Sequence, residues 1–351
     1  MKKLSKNKKI GFRIVAVLLI PMLILFVEIG LQIREKLKLV PRGMAIYQIE
    51  DPVLGYRLRP ESMTPDGLAY VNADGIRGDS QHLYTALGSP RILFIGNSCV
   101  FGTGVRDTET FTSLLETRLH NEGWDSALVF NAGVGGYNSG QVREYLKNDL
   151  WKYKPTHLVM YLGWNDMVFA TWPFDAGNVQ LGSAHPRTLT FFEKAQNYLQ
   201  YSRLFWSFQS RWRKFSNSYL REDRGVDVWN ENYVSQFREN MDAMITEAKE
   251  KNVQVYVTLL PYDSARHPKK YSNDGFHYTE DGYAKLWREF QNHIVGAIGD
   301  STAVIDLPSA IRGRESEDVV IYDYNHLGEV GHRLAADEIY RTLKPNLPNS
   351  I

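Results

Sequence analysis

Five short runs rich in β-branched and aromatic residues, at 92–95, 127–130, 157–162, 253–260 and 303–307, alternate with helical stretches such as 111–119, 141–151 and 230–250. Strand-like runs separated by helices of that length form βαβ units, and βαβ units close around a parallel sheet. The first run ends in Gly96-Asn97-Ser98, a strand giving way to a tight turn. Ser98 therefore stands at a strand's C-terminal end, the edge where open α/β sheets bind ligands. A helix expected from about Phe101 would direct its N-terminal dipole at an anion formed beside Ser98.

Composition narrows the remaining classes. The 351 residues are 43% hydrophobic, enough for one large domain plus an appendage. A net charge of +1, with both signs evenly spread, leaves no broad basic face, so no nucleic-acid partner is expected. The single cysteine, Cys99, excludes an intrachain disulfide and any cysteine-based zinc site. Its position at the start of a helix reads as a small buried hydrophobe rather than a nucleophile. His120, His157, His185 and His332 have no acid or histidine partner at metal-ligand spacing and read as structural or surface residues, so no metal and no organic cofactor is expected.

The N-terminus speaks to location. Lys2, Lys3, Lys6, Lys8, Lys9 and Arg13 precede an uncharged apolar run over 14–27 that continues, mostly apolar, to Ile33. This is the pattern of a signal peptide or a signal anchor. No small-x-small cleavage site follows, so residues 1–13 are expected to form a cytoplasmic basic tail and 14–33 a transmembrane anchor. The charge asymmetry then places the rest outside the cytoplasm, although Arg34, Lys36 and Lys38 weaken it. Residues 34–90 read as a stem and a small β-rich segment, with Pro41, Pro52, Pro60 and Pro65 preventing a long helix. The main domain is expected over 91–346. Within it, residues 167–227 break the alternation with an aromatic-rich, basic insertion, read as a helical cap, a substrate lid or a membrane-resting surface.

A nucleophilic serine needs a base, a group that orients the base, and donors aimed at the developing oxyanion. Candidate donors follow the second strand, at Gly136, and the third, where Gly163-Trp164-Asn165-Asp166 offers the Asn165 amide. Asp166 reads as a brace for that loop. The base is expected from the loop after the last strand, where Asp323 stands three residues before His326 and can fold back onto its Nδ1, leaving Nε2 for Ser98. A closing helix is expected from about Glu329 to Leu343. A second Asp-x-x-His, Asp274 to His277, follows the fourth strand and reads as a structural loop or part of the substrate rim.

Together these blocks resemble those of the SGNH, or GDSL-type, hydrolases: Gly96-Asn97-Ser98, Gly136, Gly163-Trp164-Asn165-Asp166 and Asp323-x-x-His326, in order. Asp51-Pro52-x-Leu54-Gly55-Tyr56 and Asn72-x-Asp74-Gly75-x-Arg77 also resemble the lead-in of membrane-anchored bacterial members, so the likeness runs from about Asp51 to Leu343. It implies a flavodoxin-like three-layer α/β/α sandwich with a central parallel sheet. It also implies Ser98 as nucleophile, His326 as general base and Asp323 as its orienter, with an oxyanion hole from the Ser98 N–H, the Gly136 N–H and the Asn165 amide. One departure is Asn97, where the family usually has Asp; an Asn retains a turn-stabilising side-chain hydrogen bond.

The expectation is a membrane-anchored, extracytoplasmic serine ester hydrolase acting on a small-molecule, glycan or lipid acyl ester. Two other classes stay open. One is an O-acyltransferase of cell-envelope polysaccharide using the same residues, and the other is a non-catalytic binding protein with a vestigial site.

Overall fold

The computed structural model describes residues 19, 22–30, 47–78, 88–170, 231–263, 271–273, 276–278, 280–298, 302–314, 317, 320–321 and 323–348. The chain divides into two compact units, Met1–Pro41 with Arg187–Arg221 and Arg42–Pro186 with Glu222–Ile351. Of the first unit, residues 22–30 form a helix, with Leu23, Ile24, Leu25 and Phe26 exposed. No helix among the described residues is long and apolar enough to cross a membrane. The rest of the expected 14–33 span, apart from Leu19, lies outside them, as do residues 171–227 of the aromatic-rich insertion.

The second unit opens with two small antiparallel ribbons. Strands β1 (Gln48–Asp51) and β2 (Gly55–Leu58) form one, and β3 (Ser62–Met63) and β4 (Tyr70–Val71) the other. The first turn is built by Asp51, whose Oδ1 accepts the N–H groups of Val53 and Leu54 at 2.9 and 2.8 Å. Its Oδ2 accepts Arg57 Nε at 2.6 Å.

The parallel sheet follows: β5 (Arg91–Gly96), β6 (Leu128–Gly133), β7 (His157–Tyr161), β8 (Gln254–Thr258) and β11 (Ala303–Ile305), in the order β11-β8-β7-β5-β6. Every residue of β5 and β7 is buried, as expected of central strands covered on both faces. Each fully buried apolar side chain of Ile92 to Ile95 contributes about 1.5–3 kcal/mol.

The strand order fixes the layers. From β5 the chain steps to one side, to β6, and thereafter moves the other way, so right-handed crossovers put the intervening helices on opposite faces. Helix α1 (Ser98–Phe101) follows β5 directly. Helix α2 (Phe111–Asn121) connects β5 to β6 and packs against the closing helix α8 (Glu329–Leu343), which also packs on α7 (Leu307–Ile311). The other group is α3 (Ser139–Asn148), α4 (Trp164–Ala170), α5 (Glu231–Glu250) and α6 (Glu280–Gly296), with α5 packed against the other three. A short hairpin, β9 (Tyr271–Asn273) with β10 (Phe276–Tyr278), precedes α6 and pairs His277 with Ser272; Asp274 lies outside the described residues.

The sequence-based boundaries shift in one place that matters. The helix expected from about Phe101 begins at Ser98 and ends at Phe101. Asn97 caps it, its Oδ1 accepting the Cys99 N–H at 2.9 Å, and Gly102 stops it in the left-handed conformation with φ 82°. Ser98 is thus the first residue of a helix, not the end of a loop leading to one.

Candidate active site

Strand register sets the site. Gly96 pairs with Gly133 on β6 and with Tyr161 on β7, so three adjacent strands end at the same height. Ser98, Gly136 and Asn165 follow those ends by two, three and four residues. β5 and β7 are also the strands between which the chain reverses its direction of travel across the sheet, the crevice where doubly wound folds bind ligands.

Helix α1 presents Ser98 at its N-terminus. Its backbone lies almost against β6, since a Cβ on Gly133 would fall 2.1 Å from the Phe101 nitrogen. Only glycine admits that approach. As the first residue of the helix, Ser98 has an N–H with no intrahelical partner, while its carbonyl accepts Gly102 N at 2.9 Å and Thr103 N at 3.1 Å.

At the other end of this short helix lies Arg77, buried to 4% exposure. Its Nη1 donates to the carbonyls of Phe101 and Gly102 at 2.5 and 2.6 Å, and its Nη2 to Val105 O at 2.6 Å. Nε pairs with Asp107 at 2.6 Å, and the Arg77 backbone N–H donates to Asn131 O on β6 at 3.1 Å. One guanidinium thus satisfies the carbonyls of the turn that ends the Ser98 helix. His332 sits beside it, stacked on Phe111 and accepting the Phe111 N–H at 3.1 Å. Burial, with the positive charge of the nearby Arg77, pushes that imidazole down to about 3, so it stays neutral and structural.

The loop that carries His326 is closed by a bridge between Ile321 and Leu327 and by Gly328 N donating to Val320 O at 2.9 Å. Asp323 folds back onto the loop as the three-residue spacing implies: Oδ1 accepts the N–H groups of Asn325 and His326, both at 2.9 Å, and Oδ2 meets His326 Nδ1 at 2.7 Å. Burial opposes the Asp323 charge. The hydrogen bonds from His326 and the two backbone N–H groups outweigh it and hold the carboxyl down at about 2. His326 Nε2 then lies 2.8 Å from Ser98 Oγ, completing a hydrogen-bonded chain across 228 positions of sequence. Cys99, next to Ser98, is buried with its Sγ 3.7 Å from Asn325 O. Burial and the nearby Asp323 charge push its thiol far up, which suits an inert core residue.

Gly136 and Asn165 occupy the two neighbouring loops. Gly136 has φ 86°, and a Cβ there would lie 2.5 Å from the Tyr56 hydroxyl. That hydroxyl donates to Gly135 O at 2.7 Å, while the Tyr137 hydroxyl donates to Tyr56 O. The β1–β2 ribbon therefore buttresses this loop. The Asn165 Nδ2 donates one hydrogen to Tyr137 O at 2.8 Å. Among the described residues, neither its second hydrogen nor the Gly136 N–H has a protein partner. Three unspent donors, on Ser98, Gly136 and Asn165, thus follow three aligned strand ends.

Asp166 is buried and accepts the Ser139 N–H, so it braces the loop as its position suggests. His120 and His157 make structural hydrogen bonds, with Ala127 O at 2.9 Å and with Thr156 Oγ1 at 2.8 Å. His185 lies outside the described residues, and no cluster of metal-ligating side chains occurs among those described. Tyr56 and Arg77 had been noticed only through the resemblance of their surroundings. Spacing carried no sign of what they touch, because, Asp107 apart, their side-chain partners are backbone carbonyls.

Solved structures similar to this chain include a lipase/acylhydrolase from Enterococcus faecalis, at 20% identity over 74% of this chain and 97% of that one, with a TM-score of 0.44. The psychrotrophic esterase EstA from Pseudoalteromonas sp. aligns at 15% identity over 73% and 98%, with a TM-score of 0.44. Axe2, an acetylxylan esterase from Geobacillus stearothermophilus, aligns at 11% over 73% and 94%, with a TM-score of 0.45. No curated protein matches the chain. The sequence profile of the GDSL-like lipase/acylhydrolase family matches residues 94–334, from within β5 to within α8. With well over half its length inside that match, the chain belongs to the GDSL-like lipase/acylhydrolase family and is a hydrolase acting on ester bonds.

Proposed function

We propose that the protein is a serine esterase whose nucleophile is Ser98, held outside the cytoplasmic membrane by its N-terminal segment. The observation that carries this reading is the unbroken hydrogen-bonded chain Ser98 Oγ, His326, Asp323, with distances of 2.8 and 2.7 Å. His326 Nε2 takes the hydroxyl proton as Oγ attacks the ester carbonyl, and Asp323 holds the tautomer that leaves Nε2 free to accept it. The developing oxyanion is met by the N–H groups of Ser98 and Gly136 and by the second Nδ2 hydrogen of Asn165. Collapse expels the alcohol, which takes the proton from His326. Water, deprotonated by the same imidazole, then releases the acid and regenerates Ser98.

The anchored location is supported by the basic residues at 2–13 and by the exposed Leu23, Ile24, Leu25 and Phe26 of the helix over 22–30. From that position O-acyl groups of envelope glycans and lipid esters are both within reach as substrates. The test uses the full chain in detergent, with p-nitrophenyl acetate hydrolysis and fluorophosphonate labelling of wild type, Ser98→Ala and His326→Ala. Labelling is expected to vanish in Ser98→Ala, and turnover to fall by about 10⁴-fold or more in both variants. Wild-type labelling or turnover retained in Ser98→Ala overturns the assignment.

A further inference from the structure

One buried ionisable side chain touches the scaffold of the oxyanion donors from two sides. Asp166 is fully buried and stands in the first turn of α4, directly after Asn165. Its Oδ1 and Oδ2 lie 2.9 and 3.2 Å from the backbone nitrogen of Ser139, whose N–H they accept. Ser139 is the first residue of α3. The carboxylate therefore sits where the positive ends of α3 and α4 meet, an arrangement that favours an anion. The same two loops are joined again by Asn165 Nδ2 on Tyr137 O, at 2.8 Å. Gly136 lies on one of these loops and Asn165 on the other.

We infer that ionised Asp166 is the positioning residue that fixes the Asn165 amide and the Gly136 N–H relative to each other, and that its protonation loosens this arrangement. The inference rests on the serine-esterase reading above. Burial pushes the Asp166 carboxyl up to about 6, against the pull of the hydrogen bonds from Ser139 and its own backbone. Above that pH both oxygens accept; below it, one carries a proton and accepts poorly, so the hold on the start of α3 weakens. Among the described residues, the groups that face Asp166 from the packed elements are neutral. Tyr233 on α5 is held far above its ordinary range by burial, and Asn138 and Ser139 on the α3 side do not titrate. Activity therefore requires two deprotonations on the acid side, one at His326 and one at Asp166.

The test measures kcat and KM of the full chain on p-nitrophenyl acetate from about pH 5 to about pH 9, the span that separates a one-proton from a two-proton acid limb. Asp166→Ala is expected to lower kcat by about 10²-fold, the scale of misplacing a donor, with KM nearly unchanged. Asp166→Asn keeps one acceptor oxygen and cannot titrate. It is expected to recover part of kcat at alkaline pH and to reduce the acid limb of kcat/KM from two protons to one. A kcat within about threefold of wild type in Asp166→Ala overturns the inference, since loss of a needed donor costs far more. A two-proton limb surviving in Asp166→Asn overturns it equally, and decides the matter alone should the alanine variant not fold. Ser98→Ala in the same assay separates the two readings. Turnover surviving there defeats the esterase assignment itself, whereas turnover lost there but untouched in both Asp166 variants defeats only the role given to Asp166.

Discussion

Alanine at position 136 probes the fit between the β1–β2 ribbon and the donor loop. Gly136 has φ 86°, a region in which an L residue crowds its own following carbonyl at a cost of about 1–2 kcal/mol. The added methyl would stand 2.5 Å from the Tyr56 hydroxyl. That is well inside the roughly 3.5 Å at which heavy atoms attract. Tyr56 is held by its bond to Gly135 O at 2.7 Å and by edge packing on Tyr137, with ring centroids 5.2 Å apart, so moving it sacrifices a hydrogen bond worth about 1 kcal/mol. The sum is a loss of about 2–3 kcal/mol, readable in urea denaturation. Turning the Gly136 N–H away from substrate should also lower kcat by about 10²-fold. Tyr56→Phe removes the clashing oxygen and leaves Cζ 3.7 Å from the methyl, an ordinary contact. Added to Gly136→Ala, it should cost nothing further, because the hydrogen bond it deletes is already lost, so the double variant should be about 1 kcal/mol more stable than the two single losses added together, with the backbone strain left in place. A Gly136→Ala protein that unfolds and turns over like wild type, or a double variant no more stable than the sum of its parts, would refute the reasoning.

Two further outcomes follow from the same geometry. Asp323→Asn keeps the acceptor for the Asn325 and His326 N–H groups but presents an amide to Nδ1, favouring the wrong tautomer; kcat should fall by about 10⁴-fold with the fold intact by circular dichroism. Because the Asp323 carboxyl is held near 2, its support for His326 is complete above that pH and is lost only as pH falls through it, so the acid limb measured near neutrality belongs to other groups. Arg77→Lys replaces a fork that reaches four carbonyls and Asp107 with a point donor. Thermal melting should show a loss of about 3 kcal/mol, and fluorophosphonate labelling of Ser98 should slow; an unchanged melting temperature would contradict the clamp.

How much of this was readable from residues alone depended on the range of the contact. The strands could be found because β5 and β7 are buried on both faces and appear as continuous apolar runs, and α8 because its apolar face repeats at helical spacing from Glu329. The Asp323 to His326 bond is a three-residue contact, short enough to be read from spacing. The start of α1 was misjudged because Asn97 was read as part of a turn, whereas its Oδ1 makes it an N-cap and begins the helix at Ser98. Arg77 and Tyr56 were beyond reach in a different sense. Asp107 apart, their side-chain partners are backbone carbonyls, most of them 24 to 79 positions away, and a carbonyl leaves no signature in a sequence.

The Arg77 clamp also bears on where this protein can be cut. The family match begins at Phe94, inside the first strand of the parallel sheet, and omits both ribbons. A chain trimmed to that match would lose the guanidinium that satisfies the carbonyls of Phe101, Gly102 and Val105, and the phenol under Gly136. The shortest piece able to keep both the Ser98 helix and the Gly136 loop in place therefore begins before Tyr56, well ahead of the point where the family match starts on this chain.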